Sequence, residues 1–279
     1  MAGWLCLMLI VAVAGREAAR ELNVFQLMQM RCVLGFFMLY PLIRISGGFA
    51  AMKTSRPLQH IVRNLVHYVA QLGWFFALTL IPLGQVVSIE FTMPIWTAIL
   101  AASFLGERMT VWKISAIVLG VIGVIIIVRP STGEINPGQL IALGAAVGFG
   151  ISVAMMKSLT RTESTVAIIF WMLVIQCVAG LLPALYVWKS PSLYGWGWMA
   201  VIAFCGTFSH YCMARAMLHA DATVVLPMDF VRVPLTATVG WLIYSERLDT
   251  LTVLGAALIF TGNLLNLKAP GPIAVRVGI

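Results

Sequence analysis

Six charged residues stand inside otherwise apolar stretches of this 279-residue chain: Arg16, Glu17, Arg31, Glu90, Asp229 and Arg232. Carboxylates such as Glu90 and Asp229 can bind a cationic group or take up a proton. The guanidinium groups of Arg31 and Arg232 can grip a carboxylate or phosphate through a two-pronged contact. Asp229 and Arg232 are spaced i, i+3 and so share one face of a helix. A polar-aromatic set accompanies the charges. His67, Gln71 and Trp74 recur at i, i+4, i+7, one helical face, and His210-Tyr211 form a second such patch. A face of this kind suits the wall of a cavity for a ring-bearing or cationic molecule, and a histidine with its pKa near 6.5 can relay protons. Each feature also has a structural reading, in which the acids are neutralised by arginines and the polar face makes interhelical hydrogen bonds. Catalytic signatures are missing. There is no GxxxxGK[ST] loop, no HExxH and no Cys/His spacing for zinc, and Ser209-His210 are adjacent rather than arranged as nucleophile and base. No cofactor or metal is expected.

The elements that must position these residues follow from composition. Residues of the AVILMFWYC set make up 61% of the chain and charged residues only 10%, too few to wrap a soluble core. Mean hydropathy is +0.98. The chain therefore reads as an all-α polytopic membrane protein, with the bilayer as its principal partner. The net charge of +8 belongs to loop basic residues rather than to a nucleic-acid surface. The five cysteines all lie in apolar segments with no CxxC and read as small buried hydrophobes. A spanning helix needs about 20 apolar residues. Cutting at Pro, Gly and charge clusters gives ten spans, at 2–20, 27–45, 62–81, 84–105, 111–128, 138–156, 165–187, 195–217, 222–244 and 250–267. Uninterrupted runs such as Ile114–Val128 argue for helices rather than barrel strands, which alternate.

Loop charges set the orientation. With the N-terminus in the cytoplasm, eleven Lys and Arg, Arg63 among them, fall on the inner side and four on the outer, so both termini are expected inside. At 1.5 Å per residue, Arg16 and Glu17 lie roughly 5–6 Å from the outer surface, Arg31 about 6 Å and Glu90 about 9 Å. Glu90 could then meet Arg31 or Arg16. Asp229 lies about 10 Å from the cytoplasmic end of its span, toward the opposite side from Glu90. Pro94 and Pro234 fall in mid-span and are candidate hinges, because each leaves a carbonyl without its donor. Glu107 and Glu246 sit at span ends as solvated or packing residues, and His60 and His219 fall in connections with no expected role.

The chain also repeats itself. A single ungapped shift of 139 residues places Ala77 on Ala216, Phe91 on Phe230, Glu107-Arg108 on Glu246-Arg247, Gly123 on Gly262, and Glu90 on Asp229. The shift spans five helices. Because five is odd, the two halves must cross the membrane in opposite directions, an arrangement that places a substrate site between them.

Several segments carry a family likeness: Met30-Arg31-Cys32, Ala77 through Leu83, Pro94 through Leu105-Gly106-Glu107-Arg108 to Gly120 and Gly123, and Arg129-Pro130. Tyr244-Ser245-Glu246-Arg247, Gly255 and Gly262 carry it in the second copy. On these residues the chain resembles a ten-helix member of the drug/metabolite transporter superfamily, built from two EamA-type repeats. The resemblance implies two inverted-topology five-helix repeats, 1–130 and 138–269, with a cytoplasmic tail 270–279. It further implies a multi-pass protein of the bacterial cytoplasmic (inner) membrane. The expected activity is secondary transport, with export of a small polar or amphipathic metabolite of the amino acid, amine or nucleotide-derivative kind. The expected site comprises Glu90, Asp229, Arg31, Arg232, His67, Gln71, Trp74 and Tyr211, with Arg16, Glu17 and His210 along the pathway. Proton coupling through the acids and histidines is one expectation. Uncoupled exchange is the alternative, and an intramembrane enzyme is the competing class.

Overall fold

The computed structural model describes residues 2–96, 99, 110–128, 136–219, 229, 231–246 and 249–267. Thr97-Ala98, Glu107, Arg108, Arg129, Pro130, Phe230, Arg247 and the 270–279 tail lie outside the described residues. Among the described residues there are ten α-helices of eight residues or more. They are α1 (Ala2–Ala18), α2 (Val24–Ile45), α3 (Pro57–Leu80), α4 (Leu83–Glu90), α5 (Val111–Val128), α6 (Pro137–Leu159), α7 (Thr165–Tyr186), α8 (Leu193–His219), α9 (Arg232–Tyr244) and α10 (Thr250–Leu267).

Local chemistry fixes many of the boundaries. The amides that open a helix have no partner within it, and short polar side chains satisfy them. Asn23, Asn136 and Ser164 accept such bonds at the starts of α2, α6 and α7. Pro57 and Pro137, whose lack of an N–H costs nothing in a first turn, open α3 and α6. Pro94 acts differently. Its ring leaves the Glu90 carbonyl without an amide donor, and α4 stops at Glu90 with a turn at Phe91-Thr92 before the backbone becomes helical again at 93. The expected continuous span 84–105 is thus broken directly beside its acid. Pro234 is not in mid-helix either, because it is the third residue of α9, where proline interrupts nothing.

The fold is apolar outside and polar within. Ile45 is 82% exposed while Arg31 is 1% exposed. Phe37, Leu182 and Leu242 face outward as well, and Asn64, Gln71, Glu90, Gln176, Asp229 and Arg232 are buried. Such a distribution suits hydrocarbon as the solvent. By length and composition α2, α6 and α7 can each cross a membrane, and 114–128 and 250–265 are shorter apolar helices.

Helix pairing follows the repeat. The main contacts are α1 with α8, α3 with α6, α2 with α7, α4 with α9, α5 with α10, α2 with α8 and α3 with α7. Exchanging each helix for the one five places away leaves this set unchanged, which is the signature of a pseudo-two-fold axis. The α5–α10 contact shows it at atomic scale. A Cβ on Gly255 would lie 2.6 Å from the Gly123 carbonyl oxygen, and one on Gly262 would lie 2.8 Å from that of Ala116. Shifting the first pair by 139 gives the second, so glycine here permits the same close backbone approach twice.

The connections show which way each half runs. The α1–α2 connection meets the α7–α8 connection, where the Ser192 hydroxyl donates to Glu21 at 2.6 Å and the Lys189 amide to Gln26 at 3.1 Å. The α2–α3 connection meets the α6–α7 connection, where the Thr54 hydroxyl donates to Glu163 at 2.6 Å. Connections that correspond by sequence therefore lie at opposite ends of the bundle, and the halves are inverted.

Candidate functional site

The site is assembled from the broken segments and the polar face of α3. Arg232, at the first position of α9, sends Nη2 to Glu90 Oε1 at 2.6 Å and to Asp229 Oδ2 at 3.1 Å. Each acid takes one further bond from an indole. Trp74 Nε1 donates to Glu90 at 2.9 Å and Trp4 Nε1 to Asp229 at 2.7 Å. The guanidinium also lies 5.2 Å from the Phe91 ring centroid and 5.9 Å from that of Trp4. Glu90, Asp229 and Arg232 are 7%, 3% and 2% exposed. A charge this buried is tolerated where it is paired and hydrogen-bonded.

Glu90 and Asp229 were expected at opposite depths, with Glu90 against Arg31 or Arg16. The structure corrects both points. The two acids share one guanidinium, because the breaks after Glu90 and before Arg232 bring the helix ends together at the centre, where counting along straight helices keeps them apart. Arg31 instead donates to Gln71 at 2.8 Å and to Gln176 at 2.6 Å. Arg16 pairs with Glu246 at one end of the bundle and lies over the Tyr244 ring. Glu17 pairs with Arg20 at 3.1 Å and accepts from the Tyr194 hydroxyl at 2.7 Å.

The expected face of α3 is present. His67 Nδ1 meets the Ser152 hydroxyl at 3.1 Å, and Gln71 Nε2 lies 3.2 Å from His210 Nε2. Gln71 and His210 are separated by the repeat shift of 139, so symmetry-related residues touch at the axis. The His67 and His210 rings pack at 5.0 Å, edge to face. Tyr211 is set apart. It packs against the apolar cluster of α2 and α7 that includes Leu39 and Met172.

These groups enclose one cavity. Trp4, Arg31, Arg63, His67, Gln71, Trp74, Glu90, His210 and Asp229 line it, with Met8, Met156 and Met213 filling the gaps. Its free volume is about 70 Å³. Sites that hold a small molecule run to roughly 300–1,000 Å³, so the walls must part before a metabolite enters. From Arg63 to Trp74 the cavity follows α3 for about 16 Å at 1.5 Å per residue.

Reading the sequence in spans missed Arg63. The charge count places it in a cytoplasmic connection, yet it stands in the second turn of α3, 1% exposed and on the cavity wall. Its signal was present, because Arg63 continues the 67–71–74 series one turn earlier at i−4. His60, also expected in a connection, lies in the first turn of α3 and is buried. Trp4 and Gln176 carried no signal, being a terminal aromatic and a lone amide.

The end of the bundle beyond Trp74 is latched. Glu246 takes Arg16 and also accepts from the Leu83 amide at 2.9 Å, which ties α9 to α1 and α4. The residue read as solvated or packing is thus a three-helix tie. Ser245, left-handed at φ 54°, turns the chain so that the carboxylate folds back over Gly240, where a Cβ would lie 2.7 Å from Glu246 Oε2.

A two-fold bundle of broken apolar helices around a buried ion network is the architecture of a membrane carrier. The EamA-like transporter family matches residues 4–129 and 136–268, and the chain belongs to that family. Among curated relatives, an S-adenosylmethionine uptake transporter of Rickettsia prowazekii is 26% identical over 94% of this chain and 90% of its own length. A riboflavin transporter of Brucella anthropi is 29% identical over 85% of each chain. The pseudopaline exporter CntI of Pseudomonas aeruginosa is 28% identical over 88% of this chain and 86% of its own. A solved crystal structure 16% identical, with TM-score 0.67, covers 95% of this chain and 94% of that one, and shows the fold. The protein is an integral, multi-pass transporter of the bacterial inner membrane and not an enzyme.

Proposed function

We propose that the chain is a secondary carrier that exports a small polar or amphipathic metabolite by alternating access between its two inverted halves, with both termini in the cytoplasm. The observation that carries this reading is the single guanidinium of Arg232 shared by Glu90 and Asp229, which occupy equivalent positions of the two repeats. A group held by one acid from each half couples the halves. A cationic part of the cargo, or protons, can take the place of Arg232 on the acids and so let the halves move. With the termini inside, the Arg16–Glu246 latch closes the periplasmic end and the cavity lies toward the cytoplasm, poised for loading before export.

Counterflow in proteoliposomes tests this. Vesicles loaded with unlabelled S-adenosylmethionine, riboflavin or methionine are expected to accumulate the matching labelled compound for at least one of the three. Glu90→Gln protein is expected to lose the exchange. An imposed pH gradient then separates the modes, because proton antiport makes net flux follow the gradient and uncoupled exchange does not. Wild-type rates in a folded Glu90→Gln protein would overturn the assignment of the network.

A further inference from the structure

Two acids and two arginines line the cavity, but the acids already have a cation of their own in Arg232 behind the wall. Glu90 and Asp229 are both engaged with Arg232, whereas Arg31 and Arg63 line the same cavity with no carboxylate partner among the described residues. Each is 1% exposed. Arg31 Nε and Nη1 and Arg63 Nε are buried with no hydrogen-bond partner among the described residues. Nη1 of Arg63 donates to its neighbour Asn64 at 2.6 Å, and Nη2 reaches the Met156 sulfur at 3.7 Å, a weak acceptor. Two buried cations satisfied by amides and a thioether are costly to hold unless an anion visits them. With Arg232 counted beside the acids it neutralises, the three arginines Arg31, Arg63 and Arg232 and the two acids Glu90 and Asp229 leave one positive charge in excess, which a monoanion offsets. A phosphate monoester carries about −1.5 to −2 at neutral pH and would overshoot it.

We propose that Arg31 and Arg63 form a carboxylate-binding subsite and that the metabolite carried by this protein bears a carboxylate. The subsite rests on the carrier reading above and names the anionic half of its cargo. Gln71 and Gln176 hold Nη2 of Arg31, which leaves its Nε and Nη1 without a partner among the described residues to receive the anion. The remaining cargo then lies along the face of His67 and Trp74 toward Glu90 and Asp229. A molecule that bears both a carboxylate and a cation matches the arginines and the acids that line the cavity.

Two measurements test the proposal. The first needs no ligand. Arg63→Met removes an uncompensated buried charge, so the purified variant is expected to unfold at a higher temperature than the wild type. A lower unfolding temperature would make Arg63 a structural residue and overturn the subsite. The second compares matched probes by thermal shift and counterflow: S-adenosylmethionine against its decarboxylated form, and methionine against methioninamide. Riboflavin, which has no carboxylate, and inorganic phosphate serve as references. The expected result is stabilisation and exchange by at least one carboxylate and a weaker effect of its partner. Arg31→Gln and Arg63→Met are each expected to raise the half-saturating concentration about 100-fold, the scale for removing one member of a buried charge pair. Equal binding of both members of each pair, no response to either carboxylate, or stronger binding of phosphate would each overturn the subsite. Exchange of riboflavin unaffected by the arginine substitutions would leave the carrier intact without the subsite, whereas absence of exchange for every probe would count against the carrier itself.

Discussion

Arg232→Met is the most informative perturbation of the central network. Methionine is the residue at the equivalent position of the first repeat, since shifting 232 back by 139 gives Met93. In the native fold the guanidinium sits within 3.1 Å of both carboxylates, and all three residues are under a tenth exposed. Removing the cation leaves two buried carboxylates facing one another, each keeping its indole bond from Trp74 or Trp4. Breaking a buried pair by removing one member costs about 3–5 kcal/mol. At about 2–4 °C per kcal/mol for a chain of this size, the unfolding temperature is expected to fall on the order of 10 °C. The triple variant Arg232→Met, Glu90→Gln, Asp229→Asn carries no charge in the network and keeps acceptors for both indoles. It is expected to recover most of that loss, because a neutral isostere of a buried ion pair is often as stable as the pair itself. Tryptophan fluorescence on heating in detergent reads the stability, and counterflow reads the function. Recovered stability with abolished exchange would show that the charges serve the cycle rather than the fold. The reasoning fails if Arg232→Met unfolds at the wild-type temperature, or if the triple variant exchanges substrate at the wild-type rate.

Glu246→Gln weakens the tie of α9 to Arg16 and the Leu83 amide, and is expected to make a cysteine placed at Trp74 more reactive to a thiol reagent added from the periplasmic side. Gly255→Leu forces α5 and α10 apart where a Cβ already lies 2.6 Å from a carbonyl oxygen, and is expected to cost about 1–3 kcal/mol in a thermal unfolding series. Glu21, in the α1–α2 connection, is held below the usual carboxylate range by the hydroxyl and amide of Ser192, with Lys189 assisting. Its contribution is therefore present above the ordinary carboxylate pKa and lost as pH falls through the lowered value, so hydrogen exchange at Ser192 is expected to rise only in strong acid and to rise at neutral pH in Glu21→Gln.

Much of this protein can be read without coordinates, because membrane insertion imposes simple rules. Ten spans, their inversion and the pairing of Glu90 with Asp229 as equivalents all follow from hydropathy, an odd helix count and one alignment shift. The partners of the charges do not follow. Depth counted along straight helices separates Glu90 from Asp229, since nothing in the sequence marks the start of α9 at Arg232 and the turn at Phe91-Thr92 has a single local sign. Pro94 was the local sign of that break. Arg63 was concealed by a charge count that treats every arginine near a span end as a loop residue, although its spacing from His67 placed it on the cavity face. Trp4, Gln176 and the fold-back of Glu246 onto Gly240 depend on tertiary contacts between distant segments, which no local pattern encodes.

The central claim is that the two ends of the bundle open in turn. Spin labels at Arg20 and Ser245 report the latched end, and labels at Ser55 and Thr162 report the opposite one, all four being exposed positions on different halves. Pulsed electron resonance in liposomes measures both distances in otherwise native protein and with the Glu246→Gln latch variant added. Releasing the latch is expected to lengthen the Arg20–Ser245 distance and to shorten Ser55–Thr162 in the same sample. Lengthening at the first pair with no change at the second would contradict a rocking pair of inverted halves.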